Sequence, residues 1–143
     1  MFQADKKGRI RPADQAPADR TALFALALGE LLRNARGLDV VTLDLRGLNS
    51  WTDFFVISTV TSGAHRSGLE RHIKEFAREK GFEILRRSTR PSESVENEWS
   101  LIDLGDIVVH LMTEKARLFY ELERLWGAKP LELPAGTEST TSP

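Results

Sequence analysis

Apolar residues recur along this chain with two periods, one helical and one of strands. After Asp19 or Thr21, either of which can cap a helix, Leu23, Phe24, Ala27, Leu28, Leu31 and Leu32 return every three or four residues. They predict a helix that Asn34 to Gly37 should end. DVVTLDL, 39–45, reads as a strand with Val41, Leu43 and Leu45 on one face and Val40, Thr42 and Asp44 on the other. After the turn RGLNSWT, the run DFFVISTV, 53–60, is almost wholly apolar and predicts a central strand. Thr61 or Ser62 can cap a second helix, about 63–80, whose buried stripe is Leu69, Ile73, Phe76 and Ala77. Glu70 with Lys74 and Arg71 with Glu75 are i,i+4 pairs on its wet side, each worth ~0.3 kcal/mol. Gly81 can close that helix in a left-handed conformation. FEILRRS, 82–88, predicts a third strand, and the polar loop STRPSESVEN follows, broken by Pro91. Trp99–Asp103 and Ile107–Met112 predict two strands around Leu104-Gly105-Asp106. Thr113 can cap a last helix holding Ala116, Phe119, Tyr120 and Leu122 and ending near Trp126-Gly127.

The order α, β, β, α, β, β, β, α predicts a single α/β domain with a mixed five-stranded sheet and flanking helices. The unit from 53 to 88 predicts a right-handed parallel crossover, and the tightly joined neighbours predict antiparallel pairs. Residues 1–18 read as a flexible N-terminal tail. Its cluster of Lys6, Lys7, Arg9 and Arg11 is read as solvated, with a phosphate contact as the alternative. Residues 19–127 form the domain. Residues 128–143, AKPLELPAGTESTTSP, read as a disordered tail rich in Pro, Ser, Thr and Gly.

The hairpin at 99–112 can be resolved face by face. Gly then Asp at the two central positions suits a type II′ turn. That register sets 103 opposite 108, 102 opposite 109, 101 opposite 110 and 99 opposite 112. Ile102, Leu104, Ile107, Val109 and Leu111 then share a core face with Ser100. The other face holds Trp99, Leu101, Asp103, Val108, His110 and Met112. Tryptophan among apolar groups and a few polar ones is the composition of a protein-binding hot spot. The alternative is a helix that covers this face, with His110 an interior histidine bonded to Asp103 or to a carbonyl.

Composition removes several chemistries. The chain has 143 residues, no cysteine and a formal net charge of −1. Disulfides, zinc-thiolate sites and a cysteine nucleophile are thereby excluded, and overall charge gives no drive toward nucleic acid. No apolar run approaches the roughly 18 residues of a membrane span. MFQADKKGRIRPADQAPADR lacks the apolar stretch of a secretory signal, so a cytoplasmic location is expected. His65 and His72 lie seven apart on one predicted helix, not at the spacing of a helical metal site. Phosphate-binding glycine loops, a G-x-S-x-G elbow and an Asp-x-Asp pair for Mg²⁺ are all absent from the sequence.

Two blocks resemble the ribosomal silencing factor family, also called Iojap-like proteins, over about residues 20–127. LDVVTLDLRGLNSWTDFFVISTVTS is similar to the family's strand, G-x-x-S-x-T-D turn and F-V-I-x-T strand. WSLIDLGDIVVHLMTEKARLFYELERLW is similar to its W-x-x-x-D-x-G-D-x-V-V-H segment and the R-x-x-Y-x-L-E-x-L-W segment that follows. One departure is Ala64, where the family usually carries Arg; His65 and Arg66 stand beside it. The resemblance implies a nucleotidyltransferase-like fold without the catalytic carboxylates, no metal and no cofactor. It implies a translational repressor that binds the large ribosomal subunit through its fourteenth protein and sterically blocks joining with the small subunit. The implied contact surface includes Trp99 and its strand neighbours, to which the hairpin face adds Leu101, Asp103, Val108, His110 and Met112. Tyr120, Glu121 and Trp126 match the motif too, either in direct contact or in packing the last helix. A contact with ribosomal RNA and a homodimer on the same face stay open; no membrane partner is implied. The alternative function is a Mg-dependent nucleotidyl-transferring enzyme on the related fold.

Overall fold

A computed structural model describes residues 2–4, 10–12, 16–48, 51–89, 99–125 and 129–131. In chain order these form β1 (Phe2–Ala4), β2 (Ile10–Pro12), α1 (Ala16–Asn34), β3 (Leu38–Asp44), β4 (Phe54–Val60) and α2 (Gly63–Glu79). There follow β5 (Arg86–Thr89), β6 (Trp99–Asp103), β7 (Ile107–Thr113), α3 (Glu114–Tyr120), α4 (Leu122–Leu125) and β8 (Lys129–Pro130). The loop around Pro91 and the expected helix end at Trp126-Gly127 lie outside the described residues.

The apolar run of β4 is buried at every position, and β4 takes the middle of the sheet. The strand order is β5-β6-β7-β4-β3, a mixed five-stranded sheet, with the two-residue β8 paired to the outer side of β3. β7 lies parallel to β4, whereas β3–β4, β6–β7 and β5–β6 are antiparallel. The strand after α2 therefore runs parallel to β4, as expected, but does not lie beside it. The hairpin β6–β7 fills the space between, because β7 is buried at all but its last position and the two apolar strands go together at the centre.

Local signals explain most boundaries. Ser62 Oγ accepts the His65 amide at 3.0 Å and starts α2. Gly81, at φ +81, ends it, with the Phe82 amide donating to Ala77 O at 2.8 Å. α1 starts at Ala16, ahead of the expected caps, since Pro17 in a first turn has no helical N–H bond to lose. β5 starts later than 82 because Phe82 turns inward, its ring stacked on Phe24 at 3.8 Å. Within the stretch read as an N-terminal tail, β1 and β2 pair as a separate antiparallel ribbon. β8 falls within the stretch read as the C-terminal tail.

Both faces of the sheet are covered. α1 and α2 pack on one, burying Leu28, Leu32, Leu69 and Ile73 against Val56, Ile102, Val109 and Leu111. Gly29 lets α1 close on β3, since a Cβ there would stand 2.9 Å from Thr42 Oγ1. On the opposite face Ala116 of α3 and Leu122 of α4 join Leu43, Leu45, Phe55, Ile57, Val108 and Met112.

Candidate interaction surface

The hairpin turn fixes everything above it. Gly105 has φ +95 at the first central position, as a type II′ turn requires. The register is Trp99↔Met112, Leu101↔His110, Ile102↔Val109 and Asp103↔Val108, as the alternation predicts. The Asp103 side chain reaches into the turn: its Oδ1 accepts the Gly105 amide at 2.8 Å, and its Oδ2 stands 3.5 Å from Arg86 Nη2. Asp106 is buried, and its carbonyl accepts the Asp53 and Phe54 amides at 2.9 Å each. On the core face, Ser100 Oγ donates to Glu70 Oε2 at 2.6 Å.

The mixed face divides in two. Val108 and Met112 are fully buried, and His110 is only 3% exposed. The expected surface thus loses its β7 members to the packing of Ala116 and Leu122. Trp99, Leu101 and Asp103 on β6 stay partly open, because Ala116 and Leu122 seat over β7, β4 and β3 and leave β6 at the margin of that cover.

His110 is an interior histidine, but its partner is neither Asp103 nor a carbonyl. Trp99 Nε1 donates to His110 Nδ1 at 3.0 Å. Nδ1 is therefore the acceptor, and the neutral ring carries its proton on Nε2. Nε2 has no hydrogen-bond partner among the described residues. Phe55 packs on the imidazole edge-to-face with centroids 4.3 Å apart. Burial without a counter-charge lowers the His110 pKa from 6.5 to about 3.

From His110 a line of rings runs outward. Trp99 lies 4.6 Å from Tyr120, and Tyr120 meets Phe119 at 4.9 Å, nearly perpendicular. Leu118, Phe119 and Tyr120 are 68%, 77% and 45% exposed. Thr113 Oγ1 caps α3 by accepting the Ala116 amide at 3.2 Å. Glu121, at φ +47, breaks the helix so that Leu122 can turn back into the core. Arg117 ties α3 down, its Nη1 donating to Asp39 O at 2.6 Å and Thr59 Oγ1 at 2.9 Å. α3 thus holds its first turn on the sheet and presents its last turn outward.

The motif singles out Tyr120 but does not place Leu118 or Phe119 on the surface. A signal was present. Three consecutive large apolar residues, stepping about 100° each, cannot all face one core from a single helix. Trp51 is also exposed, 6.0 Å from Phe55 at the opposite end of the same face. Trp126 lies outside the described residues. The histidines at 65 and 72 do not meet at a site: His65 Nδ1 accepts the Thr61 amide at 3.0 Å, and His72 is exposed. Among the described residues no group of three His, Asp or Glu is placed to hold a metal ion, and no helix is long and apolar enough to cross a membrane. Exposed rings with a few polar neighbours have the composition common to the centres of protein interfaces.

Comparison with known proteins gives this geometry a context. Residues 18–142 match the family described as ribosomal silencing factor during starvation. The Treponema pallidum protein named ribosomal silencing factor RsfS is 39% identical over 102 residues, 71% of this chain and 88% of that protein. The maize chloroplast protein Iojap is 33% identical over 129 residues, 89% of this chain; the match spans only 54% of the maize protein. A crystal structure of a Chromobacterium violaceum protein superposes with a TM-score of 0.66 at 27% identity, covering 81% of this chain and 96% of that one.

Proposed function

This chain belongs to the ribosomal silencing factor family, and we propose that it represses translation by docking on the large ribosomal subunit, through the fourteenth protein of that subunit, so that the small subunit cannot join. The observation that carries this reading is the exposed run Leu118, Phe119 and Tyr120, with Tyr120 against the partly open Trp99. Soluble domains seldom leave three adjacent large apolar side chains in water unless a partner covers them. Leu101 and Asp103 extend the surface along β6. Val108, His110 and Met112 support it from beneath: His110 fixes the indole through Nδ1, and the other two fill the floor.

The action is steric, not catalytic. A folded domain seated where another particle must sit needs affinity and a fixed shape, and no cofactor or metal. A buried aromatic anchor contributes on the order of 2–4 kcal/mol to such binding. The site of action is the cytoplasm, where free subunits meet.

Sedimentation with separated subunits tests the proposal. The protein should travel with large subunits, not small ones, and should lower the yield of joined ribosomes. Phe119→Ser, which removes a mostly exposed ring, should keep the fold and lose the co-sedimentation. Full binding by that variant would show that the surface lies elsewhere, and an unaffected yield of joined ribosomes with wild-type protein would defeat the function itself.

A further inference from the structure

α2 carries charge that the surface on the other side of the sheet does not use. At about 100° per residue, Ser67, Arg71, Lys74 and Arg78 fall within about 60° of one another around its axis. All four are exposed. Arg71, Lys74 and Arg78 make no ion pair or hydrogen bond with a described residue, and the i,i+4 pairs expected for Arg71 and Lys74 are not formed. The cause is visible for Lys74. Glu70 turns inward, where Ser100 Oγ holds its Oε2 at 2.6 Å and Arg66 Nε approaches it to 3.9 Å. Glu75 and Glu79 lie on the next face of the helix. A groove of about 310 Å³ lined by Ser67, Glu70, Arg71 and Lys74 opens beside the stripe. The one carboxylate in that lining is the one already engaged by Ser100 and Arg66.

In a chain of net charge −1, three cations on one stripe, none paired with a described residue, call for an anionic partner. The rise of 1.5 Å per residue spreads them over about 10 Å of helix, a length on which a duplex presents roughly six phosphates. Two of the three are arginines, whose fork matches phosphate oxygens in pairs. The stripe lies on the flank of α2 that reaches Ser100, the neighbour of Trp99 on β6. The stripe and the ring surface thus flank β6 from the two faces of the sheet.

We propose that Arg71, Lys74 and Arg78, with the groove at Ser67, form a second contact of this protein, made to the phosphate backbone of duplex RNA beside the protein docked on the ring surface. This rests on the ribosomal reading above for its setting, but not for its measurement.

The test is fluorescence anisotropy with a labelled RNA duplex of about 20 base pairs, comparing wild type with the triple variant Arg71→Gln/Lys74→Gln/Arg78→Gln across a salt series. Three phosphate contacts give a salt slope near −2.7, so they alone should weaken binding roughly 40-fold between about 50 and 200 mM salt. The triple variant should lose that part of the slope and keep its thermal unfolding midpoint. Phe119→Ser should keep the wild-type slope. Equal slopes for wild type and triple variant would overturn the proposal. So would tighter binding of wild type to vesicles containing phosphatidylserine than to RNA, which would assign the stripe to a membrane surface. If the RNA slope behaves as expected while wild type ignores large subunits, the ribosomal reading fails and this contact stands.

Discussion

His110 should make the stability of this protein fall steeply below neutral pH. In the folded state burial holds its pKa at about 3, against 6.5 when solvated. Above pH 6.5 the ring is neutral folded and unfolded, and the native Trp99 Nε1–His110 Nδ1 bond is kept at no ionisation cost. As pH falls below 6.5, the unfolded chain takes up a proton that the folded chain refuses, so stability is lost progressively until about pH 3. At about 1.36 kcal/mol per unit, the loss at pH 5 is about 2 kcal/mol. That figure depends on the unfolded pKa alone so long as the folded value stays well under 5. Urea unfolding at pH 7.5 and at pH 5 measures it, with His110→Asn as the reference. Asn keeps an acceptor for the indole N–H and does not titrate; its smaller volume costs a constant amount that cancels between the two pH values. Every other contribution is common to both proteins and drops out of the comparison. Wild type should lose about 2 kcal/mol more than the variant between the two conditions. Equal losses would mean that His110 is charged or solvated in the folded state, and the account of the buried Trp99–His110 pair would be wrong.

Two further outcomes follow from packing. Arg117→Met removes both bonds to Asp39 O and Thr59 Oγ1. It should cost about 1–3 kcal/mol in urea unfolding and speed hydrogen exchange in α3 relative to α1; equal exchange in both helices would show that Arg117 does not hold α3. Gly29→Ala places a methyl 2.9 Å from Thr42 Oγ1 at the α1–β3 contact. Overpacking there should destabilise by about 1–3 kcal/mol, despite the gain in helix propensity, and a raised thermal midpoint would refute the close approach.

Much of the fold is written in local signals. The Gly105-Asp106 turn and the alternation along 99–112 fix which residues stand opposite one another, because turn geometry and the two-residue period are properties of the strands themselves. The continuous apolar run of β4 marks it as central for the same reason. Ser62 and Gly81 bound α2 through the bonds and backbone angle those residue types favour. Strand order was not legible. β5 is carried to the sheet edge because β6 and β7 insert beside β4, and nothing within 53–88 records that. Nor does the alternation say what will lie on each face. Trp99 and His110 share one side of the sheet by sequence, but only the seating of Ala116 and Leu122 buries His110 and leaves Trp99 partly open. Glu70 has the i,i+4 spacing to pair with Lys74, yet Ser100, thirty residues on, draws it inward. In each case the deciding contact joins residues far apart in the chain, and its free energy exists only once the sheet and helices have packed.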